Sequence, residues 1–310
     1  MTRAAFKKKR KYGKNRGLME KKTVLLVSPG GFCAGVRGAL NAFEKALGEH
    51  GGPIYVLHEL VHNRRVTEDM RRRGAVFIST LAEAPAGSLV LFGAHGTGPA
   101  EAEEAAKQNL RVIDACCPRV KRLHHAAAAI PPEKELIIFG NPAHPEVRGV
   151  AGHAGTKKIF IVNSKEEIAA LPAMDAPTLL CQTTRDHQEI QEISGILEKK
   201  YPGLHVNGGV CDAVFRRQRA VEELAPQVDA MIIVGSAHSS NANRMRDVAS
   251  RLGKPAFLVD GPGDLPDLSR FRVIGVGAGA STPDDAVREI LDALNAPGNG
   301  AEVPPPPASS

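Results

Sequence analysis

The 310-residue sequence contains no tryptophan, and aromatic residues make up only 4% of it. This scarcity disfavours a base-stacking surface, so we do not expect nucleic acid as a partner. Runs of about 18 or more apolar residues are also missing, which predicts a soluble, globular protein without a membrane partner. The five cysteines are an odd number in a chain that shows no export signal. That count argues against a disulfide framework and favours a reducing cytoplasm.

The net charge of +6 is concentrated at one end of the chain. Residues 1–22 contain ten Lys or Arg against a single acid, Glu20, so the remainder of the chain carries a net charge of −3. We interpret residues 1–22 as a disordered basic tail, because the segment has neither the apolar core of a secretory signal nor the serines of a transit peptide. Weak contact with a polyanion is the functional alternative. The Pro-rich residues 293–310 are predicted to form a second disordered tail.

Apolar, β-rich runs alternate with helix-like stretches along the chain. Each run ends in a Gly-rich or polar turn, within residues 23–35, 54–65, 89–98, 136–147, 178–186, 230–244 and 272–285. Amphipathic helices are predicted within residues 37–50, 100–109, 187–201, 243–253 and 283–295. Strands that alternate with helices indicate parallel sheets built from βαβ units. The sequence therefore predicts an α/β fold whose sites lie just beyond the carboxyl ends of the strands, at the polar turns.

Three of the cysteines share a common setting. Cys33, Cys117 and Cys211 are 84 and 94 residues apart, and each lies within two residues of a Gly or Pro at the edge of a segment. One thiolate from each of three similar α/β units could point to a common centre and hold a shared metal site. The alternative is three ordinary, half-buried cysteines. Cys181 ends an apolar run and is predicted to be a core residue.

The polar turns contain hydrogen-bond donors but no standard nucleotide motif, since "GAHGTGPA" lacks the Gly-Lys-Ser/Thr of a phosphate loop. Histidines, hydroxyls and helix amino termini are suited to a diphosphate. Each of these residues could instead be solvated or cap a helix, but several strand ends share the same chemistry. The candidates are His62, Asn63, His95, His144, Thr183, Thr184, Ser239, Ser240, Asn241 and Ser281.

Glu146, in "HPEV", is the acid that stands out among these turns. Because residues i and i+2 of an extended segment face the same side, Glu146 and His144 are predicted to reach one ligand. A carboxyl group among anion-binding donors indicates a proton source. The alternative is a surface acid paired with Arg148.

Nine motifs taken together resemble a known family. They are "GFCAGV", "HELVHN", "AHG", "DACCP", "HPEV", "QTT", "CDAVFRRQ", "SSNANR" and "AGASTP". Their order and approximate spacing, over about residues 23–290, are similar to those of the 4-hydroxy-3-methylbut-2-enyl diphosphate reductases, the LytB family. The resemblance implies three similar α/β domains with parallel sheets, arranged as a pseudo-three-fold trefoil around a central cluster. It also implies the last step of the methylerythritol phosphate route to isoprenoids, a two-electron reductive dehydroxylation that gives isopentenyl and dimethylallyl diphosphate.

The resemblance further implies roles for individual residues. Cys33, Cys117 and Cys211 would hold a [4Fe-4S] cluster with one iron open to the substrate, and ferredoxin or flavodoxin would supply the electrons. Glu146, helped by Thr183, would deliver the proton that lets the hydroxyl leave as water. The substrate-binding residues would be His62, His95, His144, Thr183, Thr184, Ser239, Ser240, Asn241 and Ser281.

The implied domains are residues 34–117, 118–208 and 209–292, with a first strand at 23–33 that packs with the third domain. Cys116 stands where the family has Thr, and we expect it to be a small packing residue. Val214, Arg216 and His238 also depart from the family pattern, which leaves open a paralogous iron–sulfur reductase of another allylic or phosphorylated substrate.

Two alternatives come from other classes of protein. A zinc hydrolase is disfavoured because the three cysteines lie in distant segments and no helical His-Glu-x-x-His is present. A non-catalytic phosphate- or nucleotide-binding module would not need the three cysteines. Metal content distinguishes these classes.

Overall fold

The computed structural model describes residues 22–296 and the backbone of residues 301–302. Within these residues the chain forms three separate parallel sheets flanked by helices, which confirms the predicted fold class. No helix of this part of the chain is long and apolar enough to cross a membrane. Residues 1–21, and the Pro-rich tail apart from residues 293–296 and 301–302, lie outside the described residues.

The first unit follows a cysteine-containing loop and carries a four-stranded sheet. Its helices are α1 (Ala34–His50), α2 (Arg64–Arg72) and α3 (Pro99–Lys107). Its strands are β2 (Ile54–Leu57), β3 (Ala75–Ile78), β4 (Leu89–Phe92) and β5 (Arg111–Asp114), where β1 belongs to the third unit. The spatial order of the strands is β3-β2-β4-β5.

The second unit repeats this plan. Its helices are α4 (Pro118–Ala128), α5 (Pro145–His153), α6 (Lys165–Ile168) and α7 (His187–Lys200). Its strands are β6 (Leu136–Phe139), β7 (Ile159–Val162), β8 (Thr178–Cys181) and β9 (His205–Val206), in the spatial order β7-β6-β8-β9.

The third unit is assembled from both ends of the described chain. Its helices are α8 (Asp212–Leu224), α9 (Ser240–Arg251) and α10 (Asp284–Asn295). Its strands are β1 (Lys22–Leu26), β10 (Ala230–Val234), β11 (Ala256–Val259), β12 (Val273–Ala278) and β13 (Ala301–Glu302). The order is β11-β10-β12-β1-β13, with Thr23 opposite Val273 and Leu26 opposite Val276.

The strand order gives the molecule its three-fold character. The spatial orders β3-β2-β4-β5, β7-β6-β8-β9 and β11-β10-β12-β1 follow one pattern, in which the fourth position is held by β5, β9 or β1. A cysteine loop follows each of these three strands and leads into the first helix of the next unit, α4, α8 or α1. Because β1 comes from the amino-terminal end, the chain closes into a ring of three units.

Apolar side chains on both faces of each sheet hold the helices in place. The strands β4, β6 and β10 are buried along their whole length, as expected for the centre of a parallel sheet with helices on both sides. In the first unit, Phe43 and Met70 pack on one face and Leu81 and Leu110 pack on the other. The sheets are therefore rigid supports for the loops at their carboxyl ends.

Two boundary predictions need correction. Helix α10 continues to Asn295, into the segment assigned to the Pro-rich tail, because its apolar face packs Ile290 and Leu294 into the third core. The residue Lys22, assigned to the basic tail, already belongs to β1. The division into domains at 34–117, 118–208 and 209–292 stays a prediction.

Candidate active site

One cavity of about 100 Å³ is lined by residues of all three units. Every cysteine, carboxyl, histidine, hydroxyl and amide assigned to the site on the family resemblance lines it. They are Cys33, His62, His95, Cys117, His144, Glu146, Thr183, Thr184, Cys211, Ser239, Ser240, Asn241 and Ser281. Asn63, the further candidate, is instead buried as the amino-terminal cap of α2, where its Oδ1 accepts from the Val66 N–H.

The three thiols each occupy the cap position of a helix. Cys33 precedes α1, Cys117 precedes α4 and Cys211 precedes α8. The Sγ of Cys33 accepts a hydrogen bond from the Val36 N–H at 3.4 Å. Unpaired N–H groups and the helix dipole favour a negative group at the cap position of a helix. Burial raises the pKa of Cys117, opposed by hydrogen bonds from backbone N–H groups of the first turn.

Gly35 shows how closely these thiols approach the chain. A Cβ at this position would lie 2.6 Å from the Sγ of Cys117 and 3.9 Å from the Sγ of Cys33. The position therefore requires the absence of a side chain. Across residues 22–296, no three His, Cys, Asp or Glu side chains are gathered tightly enough to hold a single metal ion. The thiols instead surround a space, an arrangement that fits a multi-iron cluster better than a single zinc ion, whose ligands converge on one point.

Arg217 joins two of the cysteine segments. Its side chain is buried, and it donates to the Gly31 carbonyl at 2.7 Å and to the Ala213 carbonyl at 2.9 Å. The guanidinium thus ties the loop before Cys33 to the first turn of α8. Sequence reasoning missed this residue, since its only signal was an arginine within the "CDAVFRRQ" motif.

Three histidine rings form one wall of the cavity. The rings of His62 and His95 are stacked with centroids 3.8 Å apart, and the His144 ring meets them edge-on at 5.2 and 5.6 Å. Burial lowers the pKa of His95 well below its usual value and that of His144 to about 3. The Nδ1 of His144 accepts from the Glu146 N–H at 3.2 Å, so its proton lies on Nε2. Among the described residues this buried Nε2 has no partner, which leaves it ready to donate to a ligand.

The amino terminus of α9 also lines the cavity. Ser239 caps this helix, and Ser240 and Asn241 form its first turn. Helix amino termini bind anions through their unpaired N–H groups. Ser281 approaches from the loop after β12, and its Oγ donates to the His62 carbonyl at 3.0 Å. The cavity can therefore take a diphosphate between the histidines and this helix terminus.

Glu146 and Thr183 form a buried pair. The Thr183 N–H donates to Oε1 of Glu146 at 2.6 Å, and the Thr183 hydroxyl donates to Oε2 at 2.8 Å. Glu146 is only 2% exposed, and burial raises its pKa to about 7, against the two hydrogen bonds from Thr183, which lower it. The carboxyl can therefore hold a proton near neutral pH, as a general acid must.

The expected geometry around Glu146 was wrong in one respect. "HPEV" is not extended: His144 caps α5 and Glu146 lies in its first turn. The two side chains still reach the same cavity, because the cap residue and the first turn both face the end of the helix. The alternative of a surface acid paired with Arg148 is also wrong, since the carboxyl is buried against Thr183.

The remaining cysteines are packed away from the cavity. Cys181 is buried in the second core, as predicted. Cys116 is buried too, and its Sγ is directed to the carbonyl of Cys117 at 3.7 Å. Burial, together with the charge of Asp114, raises the pKa of the Cys116 thiol to about 12.

The departures from the family pattern differ in their distance from the site. Val214 is buried and lines the cavity. Arg216 is exposed on α8. His238 is 77% exposed, and its Nδ1 lies 3.8 Å from Oε1 of Glu59. Sequence reasoning also missed Glu59. This residue belongs to "HELVHN", but the interpretation of that motif considered only its histidines as candidates.

The fold and the cavity define a class: an α/β protein of three parallel-sheet units that gathers three thiols and a set of anion-binding donors at a shared centre. The family model described as LytB protein matches residues 24–295. The chain belongs to this family, as the motifs predicted.

Named relatives cover most of the chain. The 4-hydroxy-3-methylbut-2-enyl diphosphate reductase of Bordetella pertussis is 43% identical over 276 residues, which are 87% of this chain and 85% of that protein. A protein of the same name from Haemophilus influenzae (strain PittGG) is 42% identical over 281 residues, which are 87% of this chain and 89% of that protein.

Solved structures show the same architecture. The structure of the E-1-hydroxy-2-methyl-but-2-enyl-4-diphosphate reductase from Plasmodium falciparum matches with a TM-score of 0.88 at 29% identity, over 94% of each chain. A structure described as (E)-4-hydroxy-3-methyl-but-2-enyl diphosphate reductase, the terminal enzyme of the non-mevalonate pathway, matches with a TM-score of 0.64 at 29% identity. This match covers 88% of the present chain and 99% of that one.

Proposed function

We propose that this chain reduces 4-hydroxy-3-methylbut-2-enyl diphosphate to isopentenyl and dimethylallyl diphosphate, the terminal step of the methylerythritol phosphate route. The observation that carries the proposal is the meeting of three helix-capping thiols, a diphosphate-sized set of donors and a protonatable carboxyl in one cavity. Membership of the LytB family supports the same substrate.

Cys33, Cys117 and Cys211 are the residues that would hold a [4Fe-4S] cluster. The helix cap positions of all three and the close approach of Gly35 to two of the sulfurs support this assignment. When bound, the cluster would supply the two electrons and an iron without a protein ligand. Five free thiols suit a reducing cytoplasm, where ferredoxin or flavodoxin would donate the electrons.

The diphosphate would lie between the histidine wall and α9. His62, His95 and His144 would donate from one side, and Ser239, Ser240, Asn241 and Ser281 from the other, with Thr184 beside them. With the diphosphate bound in this way, the allylic end of the substrate would be directed to the thiol side of the cavity. Orientation of the reacting group by the distant diphosphate is an efficient use of binding free energy.

Glu146 would hold the proton that the leaving hydroxyl needs. Protonated Glu146 can donate to the Thr183 hydroxyl, whose own hydrogen then faces the cavity. The overall reaction takes up two electrons and two protons, breaks the C–O bond and releases water. Glu146 and Thr183 account for the proton that goes to oxygen.

Anaerobic purification tests the proposal. Iron, sulfide and the visible spectrum are measured first, and the substrate is then added with a chemical reductant. We expect a brown protein with about four irons per chain, as three thiolates and one open iron require, and consumption of the substrate. A Cys211→Ser variant serves as the matched control and should lose colour and activity together. A colourless wild-type protein that carries zinc or no metal would overturn the proposal.

A further inference from the structure

The first turns of α4 and α8 meet at the surface beside the central cavity. Arg119, in the first turn of α4, forms an ion pair with Asp212, the first residue of α8, and both side chains are exposed. Arg119 also lines the central cavity. Cys117 caps α4 and Cys211 caps α8, and both thiols are half-buried. This junction of the two helices therefore brings exposed surface next to two of the three thiols.

Helical spacing extends the junction into one continuous surface. Arg122 lies three residues beyond Arg119, and Phe215 and Arg216 lie three and four residues beyond Asp212. Residues at these spacings are neighbours on one face of a helix. At a rise of 1.5 Å per residue, Arg122 and Arg216 lie about 7.5 Å along their helices from the capping cysteines. We call this set the α4–α8 surface, and it consists of Arg119, Arg122, Asp212, Phe215 and Arg216.

The α4–α8 surface is positively charged. It contains three arginines and one acid, and that acid is already paired with Arg119. The side chains of Arg122 and Arg216 are exposed and form no hydrogen bond or ion pair with another described residue. Residues 23–310 carry a net charge of −3, so this surface differs in sign from the body of the protein. Because exposed side chains without partners contribute little to folding stability, the fold itself does not require these two arginines.

Phe215 gives the same surface an apolar centre. Its side chain is 39% exposed, and among the described residues it is the one aromatic member of the large exposed hydrophobic side chains. The ring meets the ring of His187 edge-on, with the centroids 5.1 Å apart, and this contact fixes its position. Aromatic residues and arginine are enriched in protein–protein interfaces. A fixed ring beside unpaired arginines therefore indicates a docking surface for an acidic protein.

We propose that a small acidic protein that carries electrons docks on the α4–α8 surface. Carboxylates of the carrier would lie opposite Arg122 and Arg216, and Phe215 would supply the apolar contact. The proposal rests on the proposed function, since that reaction requires electrons from an external donor. Each turnover takes two electrons and two protons, so two one-electron carriers dock in succession. Each carrier is oxidised once, and the substrate loses its hydroxyl as water.

The size and charge of this surface fit a brief encounter better than a permanent complex. Redox encounters use small interfaces, below about 1,200 Å² in total. Complementary charge acts mainly on the rate of association. Steering of this kind raises association rates about 10- to 10³-fold and is screened by salt. The proposal therefore predicts a carrier interaction that depends on charge and on ionic strength.

The first test measures binding without turnover. The oxygen-free holoenzyme is titrated in a calorimeter with oxidised ferredoxin and, separately, with oxidised flavodoxin, at low ionic strength. We expect the double variant Arg122→Gln/Arg216→Gln to bind the carrier about tenfold more weakly than the wild type. Arg122→Lys/Arg216→Lys keeps both charges and should recover most of the affinity.

Arg71→Gln is the matched control. Arg71 is exposed in the last turn of α2, which leads into the start of β3 and so lies away from the carboxyl ends of the strands. This substitution removes the same charge from a different surface. Its affinity for the carrier should equal that of the wild type.

Steady-state turnover separates docking from an effect on the active site. With the reduced carrier, kcat/KM for the carrier should fall about tenfold in the double Gln variant. The wild-type value should itself fall as the ionic strength rises from about 0.01 M to about 1 M, because the Debye length shortens from about 30 Å to about 3 Å. With reduced methyl viologen, a small cation that needs no docking surface, kcat, the KM for the substrate and the iron content should match the wild type.

Several outcomes would overturn the inference, and they are distinguishable from failure of the proposed function. If the double Gln variant binds the carrier and accepts its electrons as the wild type does, the carrier docks elsewhere. If the variant loses activity equally with methyl viologen, the arginines act on the active site. If single-stranded oligonucleotides bind more tightly than either carrier and lose affinity in the variant, the surface serves nucleic acid.

The wild type alone separates the two proposals. If it reduces the substrate with methyl viologen but neither binds nor uses ferredoxin or flavodoxin, the docking proposal fails and the proposed function stands. If it does not reduce the substrate even with methyl viologen, the proposed function itself fails.

Discussion

Replacement of Glu146 by Gln should lower the activity of the protein but raise its stability at neutral and higher pH. The amide has almost the same shape, and its oxygen can still accept from the Thr183 N–H that now bonds Oε1 at 2.6 Å. The variant cannot donate a carboxyl proton, however. Loss of a general acid typically lowers the rate 10²- to 10⁴-fold. We therefore expect kcat to fall by about that factor while the KM and the iron content stay close to wild-type values.

The stability effect follows from the raised pKa of Glu146. Burial moves this pKa from 4.5 to about 7, so the folded protein holds a proton between these values that the unfolded chain has lost. Wild-type stability therefore falls as the pH rises from about 4.5 to about 7 and then levels off. At 1.36 kcal/mol per pH unit, the buried carboxylate costs on the order of 3 kcal/mol above pH 7. Glu146→Gln removes this cost.

Thermal unfolding of the oxygen-free holoenzyme at pH 5 and at pH 8 measures the difference. The Tm of Glu146→Gln relative to wild type should increase by several degrees between the two conditions. Glu103→Gln, which removes the same charge from an exposed position of α3, is the matched control and should show no such change. Near-normal kcat, or a Tm difference that does not depend on pH, would refute the assignment of Glu146 as a buried proton donor.

Three further comparisons test the thiol centre. Gly35→Ala places a methyl group 2.6 Å from the Sγ of Cys117 and should lower the iron content, whereas Gly38→Ala on the same helix meets no neighbour within 4 Å and should not. Cys116→Thr should retain iron and activity and Cys117→Ser should lose both; the reverse result would exchange their roles. Arg217→Lys keeps the charge but replaces the planar guanidinium, which donates to the Ala213 and Gly31 carbonyls from two separate nitrogens, by a single ammonium nitrogen. The Tm should therefore fall by several degrees, and a chelator should remove iron faster.

Much of the site could be predicted from the sequence, because its residues occur at the ends of apolar strands. In a parallel sheet these ends lie at one edge, and every side chain assigned to the site on the family resemblance lines one cavity. The three-unit ring was implied only by the family resemblance. The pairing of β1 with β12 joins segments about 250 residues apart, and local patterns carry no information on such a contact.

Several helices at the centre of the site were not predicted. Each of α4 and α8 begins directly after a cysteine, which is not among the usual cap residues Ser, Thr, Asp and Asn. Glu59 was missed for a different reason. It follows His58, whose backbone adopts the left-handed conformation with a φ of 59°. This turn places Glu59 against His62 in a way that no periodic pattern indicates.

The pKa of Glu146 reflects a balance between opposing physical effects that substrate binding should disturb. The hydrogen bonds from Thr183 and the position of Glu146 in the first turn of α5 favour the carboxylate, whereas complete burial favours the neutral acid. Burial has the larger effect, and the pKa is raised to about 7. A diphosphate in the same cavity adds negative charge nearby, which disfavours a second anion and raises the pKa further. Binding of the substrate would therefore favour the protonated form of Glu146. The carboxyl group would then hold the proton that the reaction needs at the time when the substrate is bound.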